Sequence, residues 1–329
     1  MVSIAHSHFL NMSRRNLHRI QIAILSIIFL LAATIVAQQR EPDEVIKVNT
    51  DLVVFDAQVV DKKSKRIIGD LTRDDFAVTD NGVKQPISYF SRDELPLSII
   101  LLLDVSRSVR PIIHDIRDGA LNALQRLKPD DQVAVMAFAS ETKLAQDFTK
   151  DRALVSRKIE EATATDVLGN ATFVGPALES AAIHMERAPT MNSRRVIIII
   201  TDNIAATSER QQHDVLDQLF DTGTVVYGLI VRATIGRVFN IMSFGQIKAV
   251  NKFVDETGGE VLGAGKTKVD QRLGLIIDRL RARYAIGFRP SKAASESFRP
   301  VEIKISNAKS RSENLLVLTK RGYYLRTRS

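Results

Sequence analysis

The hydrophobic and polar positions of this chain change their period twice. Residues 46–93 alternate apolar and polar side chains, most clearly at 53–59, which is the pattern of a strand with one buried face. Asp80-Asn81-Gly82 then predicts a tight hairpin, because Asn-Gly tolerates a positive φ. From 95 to 282 apolar runs alternate with stretches of helical period, and residues 284–326 return to the strand-like pattern.

The central segment predicts strands and helices in regular alternation. The strands are expected at 97–103, 133–138, 196–200, 225–231 and 261–262. The helices are expected at 112–127, 154–162, 176–187, 208–219, 247–257 and 269–283. Such alternation is typical of an α/β fold in which helices cover both faces of a doubly wound, mostly parallel sheet.

The two flanking regions predict only short strands. Strands of this length are not stable by themselves, and the ends of a domain commonly lie close together. We therefore expect residues 284–326 to pair with residues 46–93 in a small β-sandwich that flanks the α/β segment or receives it as an insertion. Residues 38–45 are mostly polar and hold Pro42, which predicts a linker.

Residues 1–37 predict an export signal. A basic region with three arginines and no acid precedes an apolar stretch at 20–36, and Ala37 offers a cleavage point. An uncleaved amino-terminal anchor is the alternative, because a stretch of about 17 mostly apolar residues is just long enough to span a membrane. The Arg14-Arg15 pair resembles a twin-arginine signal, although a generic basic region also fits. The protein is thus expected in the periplasm, in the cell envelope or outside the cell.

The composition excludes several classes of function. The chain of 329 residues is 45% hydrophobic and 26% charged, with a formal net charge of +8, as in an ordinary, mildly basic globular protein. Lysines and arginines are scattered and mostly sit beside acids, so no nucleic-acid partner is expected. The chain has no cysteine, which excludes thiol catalysis and thiolate metal sites. No nucleophile elbow or P-loop is present, and we predict a non-enzymatic protein.

Polar side chains with oxygen atoms follow the first apolar run of the central segment. Leu101-Leu102-Leu103 leads directly into Asp104, Ser106 and Ser108, which stand at alternate positions. Hard divalent cations such as Mg²⁺ prefer carboxylate, hydroxyl and water oxygens. Ligands of open α/β sheets also bind outside the carboxyl ends of the strands. The position at the end of a strand and the oxygen side chains both predict a binding site for a divalent cation.

Two further oxygen-bearing residues are expected at the same edge. Asp202 ends the β-branched run at 196–200, and Thr172 lies in the polar loop before the helix at 176–187. Loops that follow parallel strands emerge at one edge of a sheet, so these side chains can converge with Asp104 and the two serines. The alternative is that serine and threonine at such places only cap helices or form turns.

With these five residues the chain resembles a von Willebrand factor type A domain and its metal-ion-dependent adhesion site. The family pattern is Asp-x-Ser-x-Ser, then a loop threonine, then an aspartate after a later strand. The resemblance covers roughly residues 95–282 and implies a Rossmann-like sheet. The flanks resemble the bacterial VWFA-related group in the segments Leu71-Thr72-Arg73-Asp74-Asp75-Phe76, Asp80-Asn81-Gly82 and Arg321-Gly322-Tyr323-Tyr324.

The resemblance also implies a function. Ser106, Ser108 and Thr172 would bind Mg²⁺, or Mn²⁺ or Ca²⁺, directly or nearly so, while Asp104 and Asp202 would act directly or through water. One position would stay open for an acidic residue of a protein partner. The expected protein is an exported binding module, with membrane contact only through an uncleaved amino terminus. The sequence leaves its oligomeric state open.

The chain departs from the family pattern at several positions. Arg107 and Asn203 stand where the family often has glycine, and Asn170-Ala171 replaces a frequent glycine pair. These departures favour an alternative in which the protein is a structural or assembly component of the cell envelope with the same fold and no working metal site. Hydrolysis at the metal is a third hypothesis, but the sequence shows no general base or nucleophile that would support it.

Overall fold

The computed structural model describes residues 52–93, 95–188, 193–203, 209–232, 249–290, 297–306 and 314–325. The chain divides into two units, 1–50 and 51–329. The predicted export signal and linker lie in the first unit, outside the described residues. None of the described helices is both long and apolar enough to cross a membrane.

The described strands and helices follow the predicted order. The strands are β1 Val53–Asp61, β2 Phe76–Asp80, β3 Val83–Gln85, β4 Tyr89–Ser91, β5 Leu97–Asp104, β6 Gln132–Phe138, β7 Thr142–Thr149, β8 Arg194–Thr201, β9 Val225–Arg232, β10 Val261–Gly265, β11 Tyr284–Phe288, β12 Ser297–Ile305, β13 Leu315–Leu318 and β14 Gly322–Leu325. The helices are α1 Ile113–Ala123, α2 Arg152–Ala164, α3 Val174–Met185, α4 Glu209–Thr222, α5 Ala249–Thr257 and α6 Val269–Arg281.

The central sheet has six strands in the order β10-β9-β8-β5-β6-β7, of which all but β7 run parallel. Strand β5 lies inside the sheet and is buried along its whole length, as its nearly continuous apolar run predicts. Helices α1, α2 and α6 pack on one face, and α3, α4 and α5 pack on the other. The predicted doubly wound α/β fold is confirmed.

Strand β7, which pairs antiparallel with β6 at the edge of the sheet, was not predicted from the sequence. Its sequence, Thr-Lys-Leu-Ala-Gln-Asp-Phe-Thr, is mostly polar and its residues are only partly covered. An edge strand needs less apolar surface than the strands beside it, so its pattern is weaker. The other differences are at helix ends: α4 continues to Thr222, and α6 ends at Arg281.

The flanking strands form two further sheets of four strands each, β13-β1-β11-β4 and β14-β12-β2-β3. Strand β1 pairs with β11 and β13, and β2 pairs with β12, so strands from both sides of the α/β segment lie side by side. The two sheets enclose an aromatic core in which Phe55 stacks on Phe288 and meets the edge of Tyr323. The exact domain boundaries stay a prediction.

Two buried arginines connect these extra sheets to the central sheet. Arg194, the first residue of β8, forms an ion pair with Asp56 and donates to the carbonyl oxygen of Arg283 at 2.9 Å. The Arg283 guanidinium donates to the Tyr227 hydroxyl at 3.0 Å and to the Gly258 carbonyl at 3.1 Å. The extra sheets therefore join the central sheet where its parallel strands begin, and the carboxyl ends of those strands lie at the other edge.

Candidate metal centre

Asp104 is the last residue of β5 and is fully buried. Its Oδ1 accepts the Ser106 backbone N–H at 2.9 Å, and its Oδ2 accepts the Thr201 hydroxyl at 2.6 Å. Among the residues that the structure describes, no basic side chain forms an ion pair with this carboxyl group. Burial raises the pKa of Asp104 to about 6, although the hydrogen bonds from Ser106 and Thr201 lower it. In the described part of the chain, the buried Asp104 carboxyl group thus has no basic side chain beside it.

Three hydroxyl groups lie next to one another beside Asp104. The Thr172 hydroxyl donates to the Ser106 Oγ at 2.9 Å, and the Oγ atoms of Ser106 and Ser108 are 3.1 Å apart. Ser106 and Thr172 are buried, whereas Ser108 is exposed. The row of oxygen atoms therefore runs from the interior of the domain to its surface.

The loop that carries Thr172 is fixed by backbone contacts. The Arg107 N–H donates to the Asn170 carbonyl at 3.2 Å, and the Phe173 N–H donates to the Ala139 carbonyl at 3.0 Å. Gly169 has φ +89°, and a Cβ atom there would lie 2.4 Å from the Ser140 Oγ. Glycine is required at this position because both the backbone angle and the close approach exclude a side chain. These contacts hold the Thr172 loop against the loop of the two serines.

Asp202 directly follows β8 and is partly exposed. Its negative charge contributes to the raised pKa of Asp104, so both carboxylates act on the same small region. The next residue, Asn203, has φ +60°, donates its N–H to the Thr201 Oγ1 at 3.0 Å, and accepts the Val250 N–H at 3.4 Å. Asparagine adopts this left-handed conformation more readily than other residues with a side chain, so it can replace the usual glycine here.

The structure brings the predicted residues together at the expected edge. Hydrogen bonds join Asp104, Ser106, Ser108 and Thr172, and Asp202 follows the threonine that binds Asp104. The sequence analysis missed Thr201 as part of the site. Strand register could have indicated it: Leu103 is the partner of Ile200, so Asp104 lies beside Thr201. Whether these residues bind a metal ion stays a prediction.

The donor set fits a hard cation. It offers two carboxylates and three hydroxyl groups, with no nitrogen or sulfur ligand, and Mg²⁺ and Ca²⁺ prefer oxygen donors of this kind. Within the described ranges there is no group of three or more His, Cys, Asp or Glu side chains that could hold a metal ion. A metal site in this part of the chain would therefore depend on its hydroxyl groups as much as on its acids.

The fold and the arrangement of the site define an α/β domain with oxygen donors collected at the carboxyl edge of its sheet. Residues 99–204 match the family model of the von Willebrand factor type A domain. The protein thus contains a von Willebrand factor type A domain, as the Asp104 motif predicted. No curated protein matches the chain.

Several solved structures resemble this chain. A von Willebrand factor type A protein from Catenulispora acidiphila is 11% identical with a TM-score of 0.47, over 75% of this chain and 72% of that one. An aerotolerance-related membrane protein from Bacteroides fragilis is 15% identical with a TM-score of 0.43, and the match covers 56% of this chain and 98% of that one. The manganese-loaded TRAP protein of Plasmodium vivax is 16% identical with a TM-score of 0.42, and the match covers 75% of this chain and 98% of that one.

Proposed function

We propose that the von Willebrand factor type A domain of this protein binds a divalent cation and, through it, an acidic residue of a protein partner. The observation that carries the proposal is the contact of the Thr172 and Ser106 hydroxyl groups at 2.9 Å, beside the buried Asp104 carboxyl group. These groups come from loops 66 residues apart in the chain. Helix capping or turn formation by each residue separately does not account for their convergence.

Each residue of the site has a role in this proposal. Ser106, Ser108 and Thr172 would offer neutral hydroxyl oxygens to the ion, and Asp104 and Asp202 would supply two negative charges, directly or through water. The bound ion would supply a positive centre for a carboxylate from outside. The hydroxyl groups add no charge, and a carboxylate that acts through water neutralises the ion less than one bound directly, so the ion would keep its attraction for a carboxylate from outside.

Titration calorimetry tests the cation site. The wild-type protein is expected to bind Mg²⁺ or Mn²⁺, and Asp104→Ala is expected to lose this binding. Asp130→Ala is the matched control, because Asp130 is an exposed acid that pairs with Lys150 away from the site. The proposal fails if the wild type takes up neither ion, or if Asp104→Ala and Asp130→Ala bind equally well.

The second candidate function is that of a structural or assembly component that does not use a metal ion. Arg107 favours it, because this exposed cation stands between the two serines of the site. Asn203 favours it less, since its left-handed backbone keeps the turn that glycine usually forms. If Asp104→Ala captures the same partners as the wild type in pull-down experiments, the second candidate replaces the first.

We further propose that the protein is exported. Its support is the basic and apolar pattern of residues 1–37, which lie outside the described residues. Fractionation of cells that express the full chain, followed by amino-terminal sequencing, distinguishes the two forms. A chain that begins after Ala37 indicates a cleaved signal, an intact chain in the membrane fraction indicates an anchor, and an intact chain in the cytoplasm contradicts export.

A further inference from the structure

Two strand edges of the extra sheets lack a neighbouring strand within the described part of the chain. Strand β13 is the last strand of its sheet and has the apolar sequence Leu-Leu-Val-Leu. Strand β12 pairs with β14 through residues 297–300, and the Val301 N–H donates to the Arg321 carbonyl, so within the described part of the chain only residues 302–305 have β2 on one side alone. An apolar strand edge invites pairing with another chain unless it is covered.

The backbone of β13 shows which groups are available for pairing. The Lys62 N–H donates to the Asn314 carbonyl at 2.7 Å, which fixes one hydrogen-bonded pair between β1 and β13. In an antiparallel ladder such pairs alternate with non-bonded pairs. Leu315 and Val317 occupy the non-bonded positions, so their N–H and C=O groups point away from β1.

The backbone of β12 also has groups that point away from its partner strand, β2. The Asn81 N–H donates to the Pro300 carbonyl, and the Ser306 N–H donates to the Asp75 carbonyl, each at 2.8 Å. Between these two bonded pairs, Ile303 and Ile305 fall on positions that face away from β2. The β12 edge thus presents the N–H and C=O groups of Ile303 and Ile305, whereas the Val301 N–H is bound by the Arg321 carbonyl.

Both edges line one cavity of about 730 Å³. Residues 301–305 and 315–318 contribute their strands, and Gly258 and Gly259 border the same space. The side chains of Ile303, Ile305, Leu315 and Val317 pack on the aromatic core between the two sheets. An extended chain in this cavity could pair with a strand edge and add alternate apolar side chains to that core.

The charges around the cavity indicate which chain would fit. Its basic side chains are Lys62, Lys304, Lys320 and Arg321, and its acidic ones are Asp255 and Glu302. Two of the basic groups already form ion pairs, Lys304 with Glu302 and Arg321 with Glu256, so the attraction for an acidic ligand depends on Lys320. The Lys320 ammonium lies 4.7 Å from the centre of the Phe55 ring. The Asp56 and Asp221 carboxylates attract its charge, although neither forms an ion pair with it in the described part of the chain. Burial lowers the Lys320 pKa to about 8. A carboxylate beside this ammonium would compensate a charge that is poorly solvated.

We propose that the cavity between β12 and β13 binds an extended, acidic segment of a partner protein as an added β-strand, with one of its carboxylates next to Lys320. The backbone groups of the two edges supply the hydrogen bonds, and the buried Lys320 ammonium favours an acidic segment. This surface lies next to Gly258 and Gly259, which precede β10, whereas the metal centre lies where β5 and β8 end. The two surfaces are therefore separate, and neither proposal depends on the other.

The test uses a labelled synthetic peptide that alternates valine and glutamate, with binding to the purified protein followed by fluorescence anisotropy. Val317→Pro removes one N–H that faces the cavity and leaves the pairing with β1 intact. Lys84→Pro is the matched control. Lys84 occupies a non-bonded position in the ladder between β2 and β3, so its N–H points to the outer edge of β3 and not to the cavity. Val317→Pro is expected to weaken binding roughly tenfold, and Lys84→Pro to leave it within about twofold.

A second comparison tests the charge. Lys320→Met should weaken binding of the valine–glutamate peptide and leave a valine–glutamine peptide unaffected. Failure of the wild type to bind the acidic peptide, or equal weakening by Val317→Pro and Lys84→Pro, overturns the proposal. So does a dimer in sedimentation experiments that Val317→Pro dissociates, because a second copy of the chain would then cover this edge. Thermal unfolding of each variant verifies that it folds.

Discussion

Substitution of Asp104 by asparagine should stabilise the protein in a metal-free buffer, although it removes a residue of the candidate metal centre. The reason is that Asp104 is fully buried and has no cation beside it among the described residues. A buried carboxylate without a positive partner costs free energy, and a neutral amide of the same shape avoids that cost. Asparagine also retains the oxygen that accepts the Ser106 N–H.

The structure sets the size of the effect. A rise of the Asp104 pKa from 3.8 to about 6 corresponds to about 3 kcal/mol of lost folding free energy at pH 7. The variant loses the hydrogen bond from the Thr201 hydroxyl, which offsets about 1 kcal/mol of the gain. We therefore expect Asp104→Asn to be about 2 kcal/mol more stable than the wild type, which raises Tm by a few degrees.

Thermal and urea unfolding in a chelating buffer measure this difference, with the exposed Asp118→Asn as control. A carboxyl group with a raised pKa favours the folded state when protonated, so its penalty disappears as the pH falls from about 6 towards 4. The advantage of Asp104→Asn should shrink over that range. In saturating Mg²⁺ the order should reverse, because only the wild type gains binding energy. A variant less stable than the wild type in chelator at pH 7 would refute the reasoning.

Four further substitutions test other parts of the structure. Thr172→Ala should weaken cation binding about tenfold in calorimetry, whereas Thr172→Ser keeps the hydroxyl group and should bind like the wild type. Asn203→Ala should lower the unfolding free energy in urea by about 1 kcal/mol because of its positive φ, and Asn203→Gly should change it little. Gly258→Ala should lower Tm, since a Cβ atom there would lie 2.2 Å from the Thr319 backbone. Arg283→Met should lower the unfolding free energy in urea by more than about 3 kcal/mol, because it leaves several buried acceptors unpaired.

The central fold could be predicted because its signals are local. The run at 97–103 and the β-branched run at 196–200 are buried on both faces of the sheet, so they are apolar apart from the buried Ser98. Strand β7 could not be predicted in this way, because its position at the edge leaves one side partly exposed and its sequence mostly polar. Its existence depends on pairing with β6, which is a property of the folded protein.

The candidate site could be predicted as a set of residues, but the contacts among them could not. The Asp104 motif and the expected sheet edge place the five residues in one region. The role of Thr201 depends on the register of β5 against β8, and the compatibility of Asn203 depends on a backbone angle. The burial of Asp104, which raises its pKa, likewise appears only when the whole domain is assembled.

The contacts that attach the extra sheets and the candidate metal centre lie at opposite edges of the central sheet. Arg194 and Arg283 attach the extra sheets where the parallel strands begin, and their guanidinium groups satisfy carbonyl oxygens from several elements. At the other edge, Asp104 is a buried acid whose ionisation opposes folding. A domain can keep such a destabilising group only if contacts elsewhere compensate for it. The arginine contacts at one edge are among the contacts that offset the cost of burying the Asp104 carboxyl group at the other.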